Sequence, residues 1–290
     1  MHSKDAESWS LEHPLKIFDL AKRQGRFVYT SAPMLAFRQT VYAYGTDICW
    51  TPMILAKEFN RSHFARDSDL TLSTDGPQPP TIVQFGSNSP LELSRASSLV
   101  APFVSGVDLN CGCPQSWACA ETLGAALMEK RELVRDMVLE TRSRLRDEGW
   151  GVGKEKDMEN PKGRSVSVKI RVHKDLRKTM DFIETVLGPE QDRHIDFLTI
   201  HPRTRQTPSS IPINLEALEI LTSKAPLPLK LVLHHLSEMC APGLGPNKES
   251  LLSKKERVAM LECTNMIDLI DFIDEKIGDR NGHSGLRRDR

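Results

Sequence analysis

The sequence lacks net charge: 39 lysines and arginines stand against 39 aspartates and glutamates in 290 residues. No polybasic excess announces nucleic acid or a membrane surface, while a basic face balanced by acid elsewhere stays open. Long apolar runs are missing as well. Nothing approaches the roughly 18 consecutive apolar residues of a membrane helix, so no membrane partner is expected. Residues 1–14 are polar and contain no apolar signal core, which makes a cytoplasmic or nuclear location, or both, the expectation. Cysteine is scarce and irregular (Cys49, Cys111, Cys113, Cys119, Cys240 and Cys263), which argues against a disulfide scaffold and for a reducing compartment. Cys111, Cys113 and Cys119 have no second Cys-x2-Cys or His-x3-His half beside them, so no metal site is expected. A G-x-G-x-x-G dinucleotide fingerprint is absent too.

What is present is an alternation of short apolar strands with longer helical patterns, the signature of βα units and a parallel sheet. Strands are predicted at 26–31 (RFVYTS), 47–51 (DICWT), 81–86 (TIVQFG), 106–109 (GVDL), 165–172 (SVSVKIRV) and 196–201 (DFLTIH). Ser89-Pro90-Leu91-Glu92 carries a cap, a first-turn proline and a glutamate placed to close a capping box, so a helix begins there. Leu176, Met180, Ile183 and Leu187 line one face of a second helix, stopped by Gly188-Pro189. Asn214 caps a third, with Leu215, Leu218 and Leu221 inward, and 132–146 forms a fourth whose Arg142, Arg144 and Arg146 read as a solvated face. The stretches 67–80 and 149–164 read as loops or insertions. Beyond about Leu229 the pattern turns helical, at 229–239 and again through Met266, Ile270, Ile273 and Ile277. A single (β/α)8 barrel of about 250 residues fits the length, but only six strands are legible, and a closed barrel needs two more βα units of about 30 residues each.

In parallel α/β folds function gathers at the carboxyl ends of the strands. There the sequence places Ala32-Pro33-Met34, Gln84, Asn110 to Pro114, Lys169 with Arg171, and His201 with Arg203. Amides, a thiol, an ammonium, an imidazole and guanidinium groups round one rim suit an anionic cofactor and an acid–base step. Each residue alone also has an ordinary reading: Cys113 as a buried structural cysteine, Lys169 as a lysine reaching for solvent, His201 as a strand-end histidine satisfied by backbone.

The arrangement resembles the tRNA-dihydrouridine synthases, flavin-dependent barrels that reduce uridine in the D loop of tRNA. The matching pieces are SAPM (31–34), AFRQTV (36–41), TDICWTPMILAKEF (46–59), TIVQFGSNSP (81–90), GVDLNCGCPQ (106–115), SVKIRV (167–172) and LTIHPRTRQ (198–206). The WTPMILAKEF stretch is most similar to the eukaryotic subgroup acting on positions 20a and 20b. The resemblance implies a TIM-type barrel, FMN as cofactor, NADPH as reductant and tRNA as partner of a monomer. It implies that hydride reaches C6 of the uracil while Cys113 protonates C5. A thiol suits a donor role, since its ordinary pKa of about 8.5 keeps it mostly protonated at neutral pH. By the same resemblance Pro33, Met34, Gln84, Asn110, Lys169, His201 and Arg203 hold the flavin, and Asn110, Arg171 and Arg38 meet the substrate. A base inside tRNA must be unstacked before it can react, so cations must hold the backbone; besides Arg38 and Arg171, the candidates are Lys57, Arg61, Lys174, Arg177, Lys178 and Arg205.

Two departures from the family stand out. Met34 runs directly into Leu35-Ala36-Phe37-Arg38, with about five residues missing from a loop bordering the flavin. After Leu227 the chain enters helix-like sequence at once, without the seventh and eighth strands, their N-G-D-like turn and their G-R-G-like phosphate loop. The expected organisation is an extension over 1–24, an incomplete FMN-binding barrel over 25–228, and a helical tRNA-binding domain with its tail over 229–290. Two readings remain: a working uridine reductase, or an impaired form that does not bind FMN and is at most an RNA-interaction protein. A flavin barrel of the dihydroorotate dehydrogenase type lacks support, because N-C-G-C-P followed by I-H-P-R-T is the tRNA family's pattern.

Overall fold

The computed structural model describes residues 11–31, 35–72, 79–153, 157–208 and 210–224, with isolated positions between 253 and 276. In chain order the elements are α1 (Pro14–Arg23), β1 (Thr30–Ser31), α2 (Leu35–Ala43), β2 (Ile48–Trp50), β3 (Ile54–Leu55), α3 (Ala56–Arg61), α4 (His63–Asp69), β4 (Thr81–Gly86), α5 (Pro90–Val100), β5 (Gly106–Cys111), α6 (Ser116–Ala120), α7 (Arg131–Asp147), β6 (Ser165–Ile170), α8 (Leu176–Leu187), β7 (Phe197–Ile200) and α9 (Leu215–Lys224). All strand pairs are parallel, in the order β1-β2-β4-β5-β6-β7. Where β2 ends, β3 takes over alongside the last residues of β4. The result is a curled parallel sheet covered by helices, an incomplete TIM-type barrel. Among the described residues no helix is long and apolar enough to cross a membrane.

The two-residue period of the strands divides the sheet chemically. Val83, Phe85, Val107, Leu109, Cys111, Val166, Val168, Ile170, Leu198 and Ile200 face outward and share one core with the helices, where Leu93 and Val100 of α5, Met137 of α7 and Phe182 of α8 meet them. Gln84, Asp108, Asn110, Ser165, Ser167 and Lys169 hold the alternate positions and face the barrel interior. Gly106 is required where β5 starts, because a Cβ there would lie 1.9 Å from the Ser165 hydroxyl oxygen.

The amino-terminal end of the barrel is closed by α1, which lies within the extension expected over 1–24. Pro14 opens this helix and the His13 ring accepts from the Leu15 amide at 3.2 Å. Ile17 and Phe18 bury against Ile48, Ile82 and Phe197. Phe197 on β7 meets Phe18 edge-on at 5.1 Å and Trp50 of β2 at 6.3 Å between ring centroids. Strands from opposite flanks of the sheet thus share one aromatic cluster, which holds the curl.

Several boundaries differ from the sequence reading for identifiable reasons. The run 26–31 contributes only Thr30–Ser31 as strand, because Arg26 turns both terminal nitrogens onto Asp47 at 2.8 Å and Asp47 also accepts from the Tyr29 amide. Ser89 caps α5 as expected, accepting from the Glu92 amide at 3.4 Å, but the Glu92 carboxylate accepts from Asn60 instead of closing the box. Asn214 accepts from the Ala217 amide at 2.8 Å; Leu218 and Leu221 are buried, while Leu215 stays 37 % exposed.

Arg142 is the main correction. It is 5 % exposed and buried against Asp196 at 3.2 Å and the Val152 carbonyl, so it is a core residue and not part of a solvated face. Arg164 is its neighbour in function: it donates to the carbonyls of Ala101, Pro161 and Gly163 and stacks on Trp150. Burial lowers its pKa to about 10. The charged insertion between α7 and β6 is therefore pinned to the barrel by two buried arginines. The region 225–250, which holds the second sequence gap and the helix expected at 229–239, lies outside the described residues, as do Met266, Ile270, Ile273 and Ile277.

Candidate active site

At the carboxyl ends of β4 to β7 the inward positions converge. Asn110, the inward residue nearest the end of β5, turns its side-chain oxygen onto the amides of Gly112 at 2.9 Å and Cys113 at 2.8 Å. This fixes the turn that carries Cys113 out of the sheet. The other side of the same loop is held at Gly124, which has φ +58°. A Cβ at that position would lie 2.5 Å from the Cys113 carbonyl oxygen and 2.7 Å from its Cβ. Only glycine combines that backbone with that approach. The Ala125 amide and the Cys119 thiol then both donate to the Cys113 carbonyl, at 2.8 and 3.7 Å. Cys113 itself is half-buried, whereas Cys111, two residues earlier on the opposite face, is buried in the helical core. Burial and nearby Asp108 push the Cys111 thiol well above its usual range, making it a structural residue.

Gln84 and Asn110 are joined directly. The Asn110 amide donates to the Gln84 side-chain oxygen at 2.6 Å, and the Gln84 amide donates to Asp108 at 2.7 Å. Asp108 also accepts from the Ser167 hydroxyl at 2.6 Å. Burial raises the Asp108 pKa to about 6, against the opposing pull of Ser167, Gln84 and Lys169. Where β2 ends, the Thr51 hydroxyl accepts from the Gln84 amide at 3.0 Å and replaces the missing ladder bond. Met53 follows and lies against Gly86, where a Cβ would come within 3.1 Å of its sulfur.

The facing wall is cationic. Lys169 sits on β6 with its ammonium 3.8 Å from where a Gly112 Cβ would be. Its pKa is lowered, first by burial, against the pull of Asp108 and Cys113. Arg171 donates to the Gly112 carbonyl at 2.7 Å and the Thr204 carbonyl at 2.9 Å, clamping the loop after β5 to the loop after β7. Burial, and then Arg203, lowers its pKa. The His201 amide continues the β6–β7 ladder to Ile170 at 2.9 Å, and the Arg203 side chain donates to the Ile211 carbonyl at 2.9 Å.

Gln84, Asn110, Cys113, Lys169, Arg171, His201 and Arg203 are thus brought to one mouth. Two of the cations expected to face substrate are interior: Arg171 is the clamp just described, and Arg38 is 3 % exposed with a nitrogen donating to the Thr71 carbonyl at 3.2 Å. Neither presents a surface charge. Lys57, Arg61, Lys174, Arg177, Lys178 and Arg205 are exposed, with Arg177 paired to Asp175 at 2.9 Å. Pro33 and Met34 lie outside the described residues. Sequence reasoning passes over Asp108, Thr51 and Gly124. Asp108 carries a legible signal, an ionisable residue at an inward strand position two before Asn110; Thr51 and Gly124 carry none.

Comparison with known proteins identifies the family. The family model described as dihydrouridine synthase (Dus) matches residues 31–231. A human protein named tRNA-dihydrouridine(20a/20b) synthase [NAD(P)+]-like is 37% identical over 221 residues, covering 74% of this chain and 62% of its own length. The Schizosaccharomyces pombe tRNA-dihydrouridine(20a/20b) synthase [NAD(P)+] is 38% identical over 213 residues, 72% of this chain and 58% of that protein. A Saccharomyces cerevisiae tRNA-dihydrouridine(16/17) synthase [NAD(P)(+)] is 32% identical over 197 residues, 66% of this chain and 41% of its own. The chain therefore spans about three fifths of the length of the 20a/20b relatives it matches. With its incomplete barrel and its cysteine loop, the chain belongs to the dihydrouridine synthase family.

Proposed function

We propose that the chain is a tRNA-dihydrouridine synthase that uses FMN and NADPH to reduce uridine to 5,6-dihydrouridine in the D loop of tRNA, at positions 20a and 20b. The observation that carries this reading is the double fixing of Cys113, by Asn110 on one side and Gly124 on the other, at a mouth lined with cations. The donor set fits the ring of FMN: a buried ammonium at Lys169, the second N–H of the Gln84 and Asn110 amides and the His201 imidazole suit an electron-rich heterocycle, and the nearest carboxylate, Asp108, is already engaged by Gln84 and Ser167. Reduced by NADPH, FMN supplies the hydride for C6 of the uracil. The Cys113 thiol would deliver the proton to C5, and the Lys169 ammonium would offset the negative charge that reduction builds on a bound flavin. Asn110 holds Cys113 in place through its backbone. The exposed cations Lys57, Arg61, Lys174, Lys178 and Arg205 hold the tRNA backbone, with 229–290 as the tRNA-binding helical domain and the monomer as the working unit.

The second reading is an impaired form of the same enzyme, favoured by the sequence departure after Leu227, which removes the phosphate grip that the two barrel strands after β7 carry in this fold. One measurement decides between them. The purified protein titrated with FMN should give a bound flavin spectrum and form dihydrouridine in tRNA with NADPH; a colourless protein that takes up no flavin overturns the enzymatic reading. With flavin bound, Cys113→Ala should leave flavin reduction by NADPH intact and abolish most product, and unchanged product would reject its role as the acid.

A further inference from the structure

We infer that Asp108 is the positioning residue that sets the direction of the hydrogen-bond chain ending at the backbone of Cys113. A side-chain amide has nearly the same shape in either orientation, so nothing steric tells Gln84 or Asn110 which end to present. A carboxylate breaks that symmetry because, when ionised, it only accepts. Asp108 is 1 % exposed, and both its oxygens are used, one by the Ser167 hydroxyl at 2.6 Å and one by the Gln84 amide nitrogen at 2.7 Å. Gln84 must therefore turn its oxygen outward, where it accepts from the Asn110 nitrogen at 2.6 Å. Asn110 in turn must aim its oxygen at the Gly112 and Cys113 amides. Reversing the first link would reverse every other one, and the Asn110 nitrogen would then face two backbone N–H groups, donor against donor.

The chain crosses from β5 to β4 and back to β5, and reaches the loop without touching the helical core. Ser167 anchors it from β6, and Lys169 supplies the nearest opposite charge. The significance of this arrangement for uridine reduction rests on the proposed function; the orientation itself does not. Asp108→Asn keeps the size but removes the acceptor-only end, because an amide beside the adaptable Ser167 hydroxyl can present either end to Gln84; only the Gly112 and Cys113 amides then oppose reversal, and the chain that holds them weakens. Gln84→Met cuts the chain at its middle and leaves Asp108 in place.

Site-resolved hydrogen exchange on the full chain, without flavin or tRNA, tests the inference. Loss of a hydrogen bond with a net value near 1 kcal/mol corresponds to roughly fivefold faster opening. Both Asp108→Asn and Gln84→Met should accelerate exchange at Gly112 and Cys113 by about that factor, with amides in the middle of β4, β5 and β6 unchanged within about twofold. In an Asn110→Ala background, where the last link is already gone, Asp108→Asn should add nothing at Gly112 and Cys113. Unchanged protection at those two amides in Gln84→Met, or a rise shared equally by the strands, overturns the inference. Because the readout needs no cofactor, it stands apart from the question of whether the protein binds FMN. If flavin does bind, Asp108→Asn should slow single-turnover reduction of tRNA while leaving flavin reduction by NADPH within about twofold of wild type; equal slowing of both half-reactions counts against it.

Discussion

Replacing Gly124 with alanine separates backbone conformation from close approach, because a second glycine provides the control. Gly124 has φ +58° and Gly149 has φ +84°. An L-residue in the left-handed region costs about 1–2 kcal/mol, and both substitutions incur that. At Gly149 nothing lies within 4 Å of the new methyl, whereas at Gly124 it would sit 2.5 Å from the Cys113 carbonyl oxygen and 2.7 Å from the Cys113 Cβ. Ordinary contact begins near 3.4 Å, so the cysteine loop must move by much of an ångström. Overpacking of this kind adds about 1–3 kcal/mol. Gly149→Ala should therefore lose about 1–2 kcal/mol, and Gly124→Ala about 2–5 kcal/mol. Urea unfolding of the two variants beside wild type measures the difference. In the Gly124 variant the displaced backbone should also lose its bonds to Asn110 and Ala125, and with them most dihydrouridine formation. Equal stability of the two variants, within about 0.5 kcal/mol, would refute the claim that Gly124 is held by contact with Cys113.

Removing the Arg142 side chain leaves Asp196 buried without its cation, so Arg142→Ala should cost about 3–5 kcal/mol in chemical denaturation, whereas the exposed Arg146→Ala should change stability by under about 0.5 kcal/mol. Phe18→Ala empties the aromatic plug and should destabilise by about 3–5 kcal/mol, measured the same way; a loss below about 1 kcal/mol would mean that α1 does not hold the barrel end. The raised pKa of Asp108 has a definite sign: the folded state favours the protonated acid, so its contribution is most favourable below the unfolded pKa near 3.8 and is lost as pH rises through about 6. Relative to Asp108→Asn, wild type should therefore lose about 2 kcal/mol between about pH 4 and 6.5, and a pH-independent difference in unfolding free energy would contradict the burial argument.

The parts of the fold governed by local rules were legible in the sequence. TIVQFG marks β4 because an apolar run between breakers has few alternatives, and the stop at Gly188 follows from its positive φ at the end of α8. The convergence of Gln84, Asn110, Cys113 and Lys169 follows from strand order alone once the sheet is parallel. Features set by distant partners were not legible. Arg142 sits among charged residues on α7 and reads as solvated; its partner Asp196 lies 54 positions away. Arg171 reads as a substrate cation because its strand-end position is visible, while the carbonyls of Gly112 and Thr204 that take two of its donors are not. In α1, a short helix preceded by polar sequence, nothing local announces that Phe18 meets Phe197.

That last contact orders events in time. On the ribosome α1 emerges before every strand of the sheet, yet its aromatic dock includes a residue on β7, the last strand among the described residues, 179 positions later. Until β7 has been added the helix meets Ile48 and Ile82 but lacks Phe197, and Phe18 has no ring to pack against there. Closing so long a loop is slow compared with pairing neighbouring βα units. Docking of α1 is therefore the step that reports arrival of β7, and a nascent chain cut short before Phe197 would carry an exposed apolar helix of the kind that chaperones hold.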